Sequence, residues 1–509
     1  MKALLRVDAY PHPCSAIELI ETHISWVFLT GQYAYKVKKP VAFNFVDFSS
    51  LERRAHFCRE ELRCNRAFAP ELYDAVVPIN LTADGYRIEG SGRTVEWAVR
   101  MVQFPSENQL DRLLGADRLS LATMREFGSM LASQHAQLPV RRGVDDAASR
   151  VLKPVLDNFR TLAPLAVSAP HVDWLESLRA DSETLFAALG EKFAARAPGG
   201  FVRECHGDLH LSNLVLTDLG VRAFDCLEFN PDLRWIDVAS DVAFLLMDCC
   251  VRGREDLSYG FLDGYLTAAG DYSGVALSPF YQAYRSMVRA KVAALQLAQQ
   301  QAGDGAEIAR RLLTHLQWTD KRLHRPRGGL VLMCGLSGSG KSYLAERLVP
   351  VMPAVRLRSD VARKRLAGLA PHADSQSPID GGLYTRDRTE QVYARLQSWA
   401  ADIACGGEHV IVDATFLQRH QRSAFVQLAA RLQIGCTIVY CHADRQELEQ
   451  RLRRRAQEGN DVSEAGIGVL QRQLEQFEDF ADEPVMRVNT AHDLQPAAIA
   501  EKLREATPA

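Results

Sequence analysis

A glycine-rich octapeptide, residues 335–342, carries the clearest chemistry in the sequence. It reads Gly-Leu-Ser-Gly-Ser-Gly-Lys-Ser, follows the apolar run Leu330–Cys334 and precedes a helical pattern. In this strand–loop–helix context the glycines let backbone N–H groups turn toward an anion, Lys341 can reach the outer phosphates, and the Ser342 hydroxyl can ligate Mg²⁺. The pattern predicts binding of ATP by Gly335, Leu336, Ser337, Gly338, Ser339, Gly340, Lys341 and Ser342.

Two carboxylates downstream of the octapeptide also follow strand-like runs. Asp413 ends the apolar stretch His409–Val412, the usual position of an acidic group that holds Mg²⁺, although such a residue can also only cap the next helix. Asp360 opens a helical pattern and could take the proton of an acceptor hydroxyl; Arg363, three positions later, can face the same side. An Asp that begins a helix is more often an N-cap, so both interpretations of Asp360 stay open at this point.

A second constellation lies in the first part of the chain. Residues 206–213 read His-Gly-Asp-Leu-His-Leu-Ser-Asn, and Asp225 follows the apolar pair Ala223-Phe224. The spacing from Asp208 to Asn213 is that of a kinase catalytic loop, in which the Asp accepts the proton of the acceptor, and the Asn and a downstream Asp hold Mg²⁺. We therefore expect Asp208 to be a general base and Asn213 and Asp225 to be metal ligands.

Such a site needs a lysine for the α- and β-phosphates and a carboxylate that holds the lysine. Lys36 follows an alternating strand most naturally, with Lys38 on the same face as an alternative. On the helical pattern Leu51–Phe68, Glu60 points nearly opposite the apolar stripe, whereas Glu61 flanks it. Glu61 is therefore the expected partner, with an ordinary surface salt bridge as the alternative interpretation.

One expected feature is missing from the first part of the chain. A GxGxxG loop that covers the phosphates would be expected between Trp26 and Tyr35, and only Thr30-Gly-Gln32 is present. This departure leaves open that the N-terminal half has lost its chemistry and supports or regulates its neighbour.

The elements that must position these residues divide the chain. The 509 residues have an ordinary globular composition, 47% hydrophobic and 24% charged, and this length predicts several domains. The basic, Pro/Gly-containing stretch Lys321–Gly329 separates a helical pattern from an alternation of strands and helices. We predict an α+β and α/β multidomain protein with domains at 1–325 (small lobe about 1–102, helical lobe about 103–325) and 326–509, the second with a parallel sheet and flanking helices.

Charge and cysteine content restrict the partners. The 60 basic and 63 acidic residues leave a net charge of −3, which argues against binding bulk nucleic acid or an anionic membrane. The eleven cysteines form no CxxC pair, and no run of 18 apolar residues occurs. We expect a cytoplasmic protein with small-molecule acceptors; the oligomeric state cannot be read from the sequence.

Four motifs of the second part occur in the order seen in small P-loop kinases: Gly335–Ser342, Arg358-Ser-Asp-x-x-Arg363, Val410-Ile-Val-Asp-Ala-Thr-Phe416 and Leu448-x-x-Arg-Leu-x-x-Arg455. This part resembles the AAA-type ATP-binding family of polynucleotide 5′-kinase domains, gluconate-kinase-like enzymes and zeta toxins. The resemblance implies that Asp360 is the catalytic base, that Arg363 positions the acceptor, and that Arg451 and Arg455 belong to a lid over the nucleotide. From spacing alone, the two lid arginines could equally belong to a solvated basic helix face.

The first part resembles the aminoglycoside phosphotransferase and choline kinase branch of the kinase fold, since Gly207 stands where protein kinases carry Arg. The resemblance implies a bilobal protein-kinase-like fold, with Asp208 as general base, Asn213 and Asp225 as Mg²⁺ ligands, and a helical lobe that binds a small hydroxylated molecule. Asp237 and Asp241 resemble that family's acidic helix, for which a structural role is expected.

These observations predict an ATP-dependent kinase with two modules that transfer the γ-phosphate of Mg-ATP to hydroxyl acceptors. Two alternatives remain: a regulatory ATP-binding protein with a degenerate N-terminal half, and a nucleotide or nucleic-acid 5′-kinase in the C-terminal half. In the C-terminal module the loop Pro371–Gly382 is expected to cover the acceptor.

Overall fold

A computed structural model describes residues 2–43, 46–143, 147–165, 169–299, 305–369, 373, 382–458, 466–492 and 494–506. Two compact units form within the chain. Unit 1 comprises Met1–Leu119, Gln134–Arg150 and Ala194–Leu245; unit 2 comprises Ser120–Ser133, Val151–Phe193 and Leu246–Ala509.

The described strands are β1 Glu18–Glu21, β2 Ser25–Leu29, β3 Tyr33–Lys38, β4 Ala42–Phe43, β5 Val46–Asp47, β6 Tyr73–Thr82, β7 Gly85–Ile88, β8 Arg93–Val102, β9 Val202–Glu204, β10 Leu214–Thr217, β11 Gly220–Ala223, β12 Trp235–Asp237, β13 Leu330–Cys334, β14 Ala354–Arg358, β15 His409–Asp413, β16 Cys436–His442 and β17 Val485–Asn489. The described α-helices are α1 Leu51–Asn65, α2 Leu110–Gly115, α3 Leu121–Gln137, α4 Ala147–Leu162, α5 Ala169–Ala188, α6 Gly190–Arg196, α7 Val238–Val251, α8 Glu255–Ala269, α9 Tyr272–Val275, α10 Ser278–Gln299, α11 Gly305–Leu323, α12 Lys341–Val351, α13 Ser359–Leu366, α14 Arg386–Cys405, α15 Arg419–Leu432, α16 Arg445–Glu458, α17 Ile467–Gln476 and α18 Pro496–Ala506.

In unit 1, an antiparallel sheet of order β1-β2-β3-β8-β6-β7 presents the two candidate lysines. Successive side chains of a strand point to opposite faces. Tyr35 and Val37 accordingly pack into one buried core cluster, while Lys36 and Lys38 reach Glu61 on α1. The alternation of β3 therefore aims both lysines at the same helix.

Two short antiparallel strand pairs frame the predicted catalytic loop of unit 1. Strands β9 and β12 pair with each other, and β10 pairs with β11. Residues 205–213 connect β9 to β10, and Phe224 and Asp225 follow β11 directly. The loop and Asp225 are thus fixed at the ends of adjacent, hydrogen-bonded elements.

The C-terminal sheet in unit 2 has the order β14-β15-β13-β16-β17, and all its pairs are parallel. Every residue of β13 is buried, as expected for a strand covered on both faces by crossover helices. The chain leaves β13 between β15 and β16, the switch point at which parallel sheets bind ligands. The predicted parallel sheet with flanking helices is confirmed.

Two further predictions concern the chain as a whole. The predicted domain boundary between residues 325 and 326 lies in the connection from α11 to β13, and it stays a prediction. Across the part of the chain that is described, no helix combines the length and apolarity of a membrane span.

Candidate functional site

The unit 1 site is built around Glu61, which is completely buried and contacts both candidate lysines. Its Oε1 lies 2.8 Å from Nζ of Lys36 and its Oε2 lies 2.7 Å from Nζ of Lys38. Lys36 also pairs with Asp225, and Lys38 pairs with Glu228. The two lysines that the sequence left as alternatives therefore share one carboxylate, while only Lys36 reaches Asp225.

Glu228 is the residue of this cluster that sequence reasoning missed. It is buried and lies three positions after Asp225, where no spacing rule singles it out. The one related signal in the sequence was the second lysine on the same strand face, because a buried charge must be compensated by a partner.

The charges in this cluster support one another. Burial by itself would raise the pKa of Glu61, but Lys36 and Lys38 outweigh it and lower that pKa to about 2. Burial likewise opposes the charge on Lys36, and Asp225, Glu61 and Glu228 overcome it, so the pKa of Lys36 lies well above its usual value. Glu228 differs, since burial dominates and raises its pKa. Lys36, Lys38 and Glu61 are thus all charged at neutral pH.

The side chain of Asp241 fixes the backbone of the predicted catalytic loop. The backbone amides of His206 and Gly207 donate to its two carboxylate oxygens at 3.0 and 2.9 Å. The side-chain nitrogen of Asn213 donates to the backbone oxygen and to Oδ2 of Asp208, both at 3.0 Å. Asp208 and Asn213 are therefore brought together, and the amide oxygen of Asn213 is the atom of this side chain that could bind a metal ion.

His206 ties this loop to the segment that carries Asp225. Its Nε2 donates to the carbonyl of Phe224 at 2.9 Å, and its Nδ1 accepts from the amide of Asp208 at 3.4 Å. This pattern requires a neutral ring, in agreement with the pKa of His206, which burial lowers even though Asp241 opposes the shift. Asp225 itself has φ 62°, a left-handed conformation that non-glycine residues adopt at a cost and that often marks a functional site.

The turn that would cover phosphates differs from the sequence prediction. Lys38 pairs with Ser25 at the start of β2, so the lysines lie toward the β1–β2 turn, whereas Thr30–Gln32 joins β2 to β3 at the other end of the sheet. The β1–β2 turn is tight. The backbone amide of Thr22 donates to the carbonyl of Ser25 at 2.9 Å, and the amide of Ser25 donates to Oγ1 of Thr22 at 3.0 Å. It contains no glycine. The turn near the lysines is therefore β1–β2 rather than β2–β3, and neither turn carries the GxGxxG pattern.

The P-loop site of unit 2 joins the octapeptide to Asp413. The hydroxyl of Ser342 donates to Oδ1 of Asp413 at 2.9 Å, and Nζ of Lys341 lies 3.4 Å from the carbonyl of Leu336 inside the loop. Gly335, Gly338 and Gly340 have φ of 147°, 81° and 77°, which only glycine adopts readily. At Gly335 a Cβ would also lie 2.4 Å from the carbonyl oxygen of Cys441.

A cleft of about 780 Å³ opens at this loop and extends along α16 and α13. It contains five of the predicted site residues beyond the glycines: Lys341, Ser342, Asp360, Arg451 and Arg455. The rest of its lining is formed by Gly338, Gly340, Tyr343, Arg347, Glu447, Leu452, Arg454, Thr490, His492, Leu494 and Pro496. The sequence did not indicate the contribution of Thr490, His492, Leu494 and Pro496, which follow β17.

Arg451 contacts the loop directly. Its guanidinium lies 3.4 Å from the carbonyl of Gly338 and donates to Thr490 Oγ1 at 3.0 Å. Glu447, one turn earlier on α16, accepts from its Nε at 2.7 Å. Arg451 is therefore part of the cleft wall rather than of a solvated basic face.

Arg363 occupies a different place from the other predicted residues. It is buried outside the cleft lining, donates to the carbonyl of Leu383 at 2.9 Å and to Thr389 at 3.1 Å, and stacks on Tyr384. Its predicted role as an acceptor-positioning residue stays a prediction. Apart from residues 373 and 382, the predicted acceptor loop, with Pro371, His372, Asp374, Ser375 and Asp380, lies outside the described residues.

Both donor sets fit Mg²⁺, which prefers carboxylate, hydroxyl and amide oxygens near phosphate groups. In unit 1 the oxygens belong to Asn213 and Asp225; in the P-loop site they belong to Ser342 and Asp413. A lysine for phosphate lies next to each set: Lys36 contacts Asp225, and Lys341 is adjacent to Ser342.

Comparison with known proteins assigns both parts of the chain. Residues 34–277 match the model of a family described as "Phosphotransferase enzyme family", and residues 330–480 match one described as "AAA domain". Proteins of Mycobacterium tuberculosis and Mycobacterium bovis, both described as uncharacterized, are 29% identical to the chain over 468 residues, 90% of either length.

Several solved kinase structures are similar to a share of the chain. The choline kinase of Cryptosporidium parvum Iowa II is 12% identical, covering 60% of this chain and 89% of its own, with a TM-score of 0.39. A gluconokinase of Sinorhizobium meliloti 1021 is 23% identical, covering 36% and 95%, with a TM-score of 0.26. The APS kinase of Mycobacterium tuberculosis is also 23% identical, covering 36% and 98%, with a TM-score of 0.27.

The chain thus carries a phosphotransferase-family domain followed by a P-loop kinase domain. Both resemblances drawn from the motifs are confirmed, as are the kinase-like fold of the first part and the P-loop fold of the second.

Proposed function

We propose that the protein is an ATP-dependent phosphotransferase with two kinase sites, each of which transfers the γ-phosphate of Mg-ATP to a hydroxyl group of a small molecule. One observation carries the proposal. Each unit has a lysine, two side chains whose oxygens could bind Mg²⁺ and a further carboxylate, and these lie in or near its predicted phosphate-binding or catalytic loop. Phosphoryl transfer requires positioning and charge neutralisation rather than covalent chemistry, and these groups supply both.

In the unit 1 site, Lys36 contacts the phosphates while Glu61 holds its Nζ in place. Asn213 and Asp225 hold Mg²⁺, which neutralises negative charge on the phosphates when it is bound. Asp208 accepts the proton of the acceptor hydroxyl as its oxygen attacks the γ-phosphorus and ADP leaves. Asn213 keeps the Asp208 carboxylate oriented through its side-chain hydrogen bond.

In the P-loop site, the backbone of residues 335–342 and Lys341 bind the phosphates, and Ser342 and Asp413 hold Mg²⁺. Asp360 lines the same cleft and serves as the base for the acceptor hydroxyl. Arg451 and Arg455 neutralise charge on the nucleotide from α16, and Arg363 acts on the acceptor side. This role is supported by the contact of Arg363 with Leu383, which follows the predicted acceptor loop in the sequence, and by its contact with Thr389.

Labelled γ-phosphate transferred from ATP into a pool of small cellular metabolites tests the proposal. Wild type, Asp208→Ala and Lys341→Ala are compared, and a different labelled product should disappear in each variant. If neither variant loses a product that wild type makes, the chain is not this phosphotransferase.

A second candidate function, a regulatory ATP-binding protein with an inactive N-terminal half, is favoured by the tight glycine-free turn Thr22–Ser25. It predicts that only the Lys341→Ala variant loses labelled product. Under this candidate, Asp208→Ala leaves every product unchanged, and a single product lost in that variant is enough to reject it.

We also propose a reducing, cytoplasmic compartment, small-molecule acceptors and no nucleic-acid partner. The compartment is supported by the eleven cysteines, all of which are free thiols, because oxidising compartments favour disulfides.

A further inference from the structure

Four charged residues of unit 2 tie the P-loop site to helices α3 and α8, which lie outside the predicted C-terminal domain. They are Arg125 on α3, Asp263 on α8, Glu346 on α12 and Arg356 on β14, here called the α8 network. Arg356 donates from Nε and Nη2 to the two oxygens of Asp263, both at 2.9 Å, and both side chains are buried. Arg125 lies 3.4 Å from Asp263 and also pairs with Glu346.

Strand β14 leads directly to the predicted base of the P-loop site. Arg358 ends β14 beside Asp413 of β15, and α13 then begins with Ser359 and Asp360. Because β14 is the edge strand of the sheet, β15 holds it on one side only. The ion pair of Arg356 with Asp263 supplies a second restraint from α8.

Helix α13 itself also contacts α8. The guanidinium of Arg365 donates to the carbonyl of Ala268, at the end of α8. Gly270, the left-handed residue that follows α8, packs so closely that a Cβ there would lie 2.2 Å from Nε of Arg365. The elements on both sides of Asp360 are therefore attached to α8.

The α8 network also includes the helix that follows the P-loop. Glu346 lies one turn after Ser342 on α12, pairs with Arg125, and has its Oε2 4.0 Å from Nη1 of Arg356. Helix α12 and strand β14 are thus connected to each other and to α3 and α8 by one set of charges.

We propose that α3 and α8 are part of the P-loop catalytic unit, and that Asp263 is a positioning residue that holds Asp360 in place through Arg356. The inference rests on the proposed function insofar as Asp360 is the base. A bidentate Arg–carboxylate pair has a fixed planar geometry, so it restrains orientation as well as distance. Because buried ion pairs add little to stability compared with apolar residues, we assign the pair of Arg356 and Asp263 the role of orienting β14 relative to α8.

The test uses the full chain and four variants, one of which, Asp263→Glu, keeps the carboxylate at this position. Asp263→Asn removes the charge with little change of shape, Arg365→Gln weakens the separate contact between α13 and α8, and Glu307→Gln removes an exposed pair with Arg310 on α11 as the matched control. Three quantities are measured: transfer that depends on Lys341, the affinity for a fluorescent ATP analogue with Mg²⁺, and hydrogen exchange of Ala354–Leu366 compared with Leu330–Lys341.

For Asp263→Asn we expect transfer at saturating Mg-ATP to fall by about 10- to 100-fold, the cost of a misplaced catalytic group. Affinity for the analogue should stay within about threefold of wild type, because the phosphate loop itself is not displaced. Exchange should increase in Ala354–Leu366 and not in Leu330–Lys341. Arg365→Gln should shift exchange in the same segment, Asp263→Glu should recover part of the transfer, and Glu307→Gln should match wild type.

Unchanged exchange in Ala354–Leu366 for both Asp263→Asn and Arg365→Gln overturns the inference. Protection that is lost equally in Ala354–Leu366 and Leu330–Lys341, together with weaker binding of the analogue, also overturns it. If wild type shows no transfer that depends on Lys341, the proposed function fails by itself. The exchange and affinity measurements then still decide whether α8 positions β14 and α13.

Discussion

Glu61 shows at the scale of single residues how burial and charge decide a site. A carboxylate without access to water is costly unless cations and hydrogen bonds compensate it. Here two lysines do so, one on each carboxylate oxygen. Because Lys36 also contacts Asp225, removing the charge of Glu61 would disturb the phosphate-binding lysine and one metal ligand together.

Glu61→Gln is expected to destabilise unit 1 at neutral pH by about 3 kcal/mol. The folded-state pKa of Glu61, about 2, lies below its ordinary value of 4.5. The stabilisation from its charge is therefore present above about pH 4.5 and is lost as the pH falls toward 2. The difference in unfolding free energy between wild type and variant, from urea titrations at several pH values, should shrink across this window.

The exposed carboxylate Glu18 on β1 provides the control. Glu18→Gln should unfold like wild type at every pH. A constant difference between wild type and Glu61→Gln from pH 7 to pH 2 would contradict the assigned charge state of Glu61.

Lys341→Ala should lower phosphate transfer by the P-loop site at least about 100-fold, since a preorganised cation at the transferred phosphate is lost. Lys502→Ala on α18 removes an exposed lysine of the same unit and should leave transfer unchanged. Transfer is followed with labelled ATP, and binding of Mg-ATP by Lys341→Ala as tight as in wild type would exclude the predicted role.

At the scale of elements, the phosphate loop depends on backbone conformations that other residues resist. Gly335→Ala combines a φ of 147° with a Cβ 2.4 Å from a backbone oxygen of β16. We expect a loss of about 2 kcal/mol in unfolding free energy and at least about tenfold weaker Mg-ATP binding, because the loop amides move. Thermal unfolding and analogue titration measure the two effects.

Gly466→Ala is the matched control, because its Cβ would meet open space and its φ is −100°. It should behave like wild type in both assays. Equal effects of the two substitutions would show that the conformation of Gly335 is not required.

The catalytic loop of unit 1 depends on an element outside it, helix α7, which supplies Asp241. Asp241→Asn replaces one of two acceptor oxygens by an N–H₂ group that faces a backbone N–H donor. We expect transfer that depends on Asp208 to fall by about 10- to 100-fold, with the KM for ATP little changed. Asp218→Asn, in an exposed turn, should retain full activity. A wild-type rate for Asp241→Asn would show that Asp241 is not needed to position the catalytic loop.

At the scale of the whole molecule, the two functional candidates differ in how much nucleotide the chain binds. If both sites bind Mg-ATP, calorimetric titration should give about two nucleotides per chain for wild type and about one for Lys341→Ala. About one for wild type and none for the variant would support the regulatory candidate. EDTA should weaken binding at both sites, because each relies on oxygen ligands for Mg²⁺.

Local patterns were enough to predict much of this molecule. The glycine-rich octapeptide, the spacing from Asp208 to Asn213 and the runs of apolar residues specify a phosphate loop, a kinase-type loop and parallel strands. They can be recognised because glycine conformations, helix starts and strand burial depend on near neighbours in the chain. The preference for Glu61 over Glu60 came from helical periodicity in the same way.

Contacts between distant segments could not be predicted in this manner. No sequence spacing relates Glu228 to Lys38 or Asp263 to Arg356, and none predicts that Thr490, His492, Leu494 and Pro496 line the cleft. Helical or strand periodicity describes one element at a time. The pairing of these residues is decided by which side chains are buried from solvent, because a buried charge must pair with a group that the fold brings close to it. Local sequence patterns therefore determined which residues could do chemistry in this protein. The orientation of those residues and the compensation of their charges were decided only by the tertiary structure.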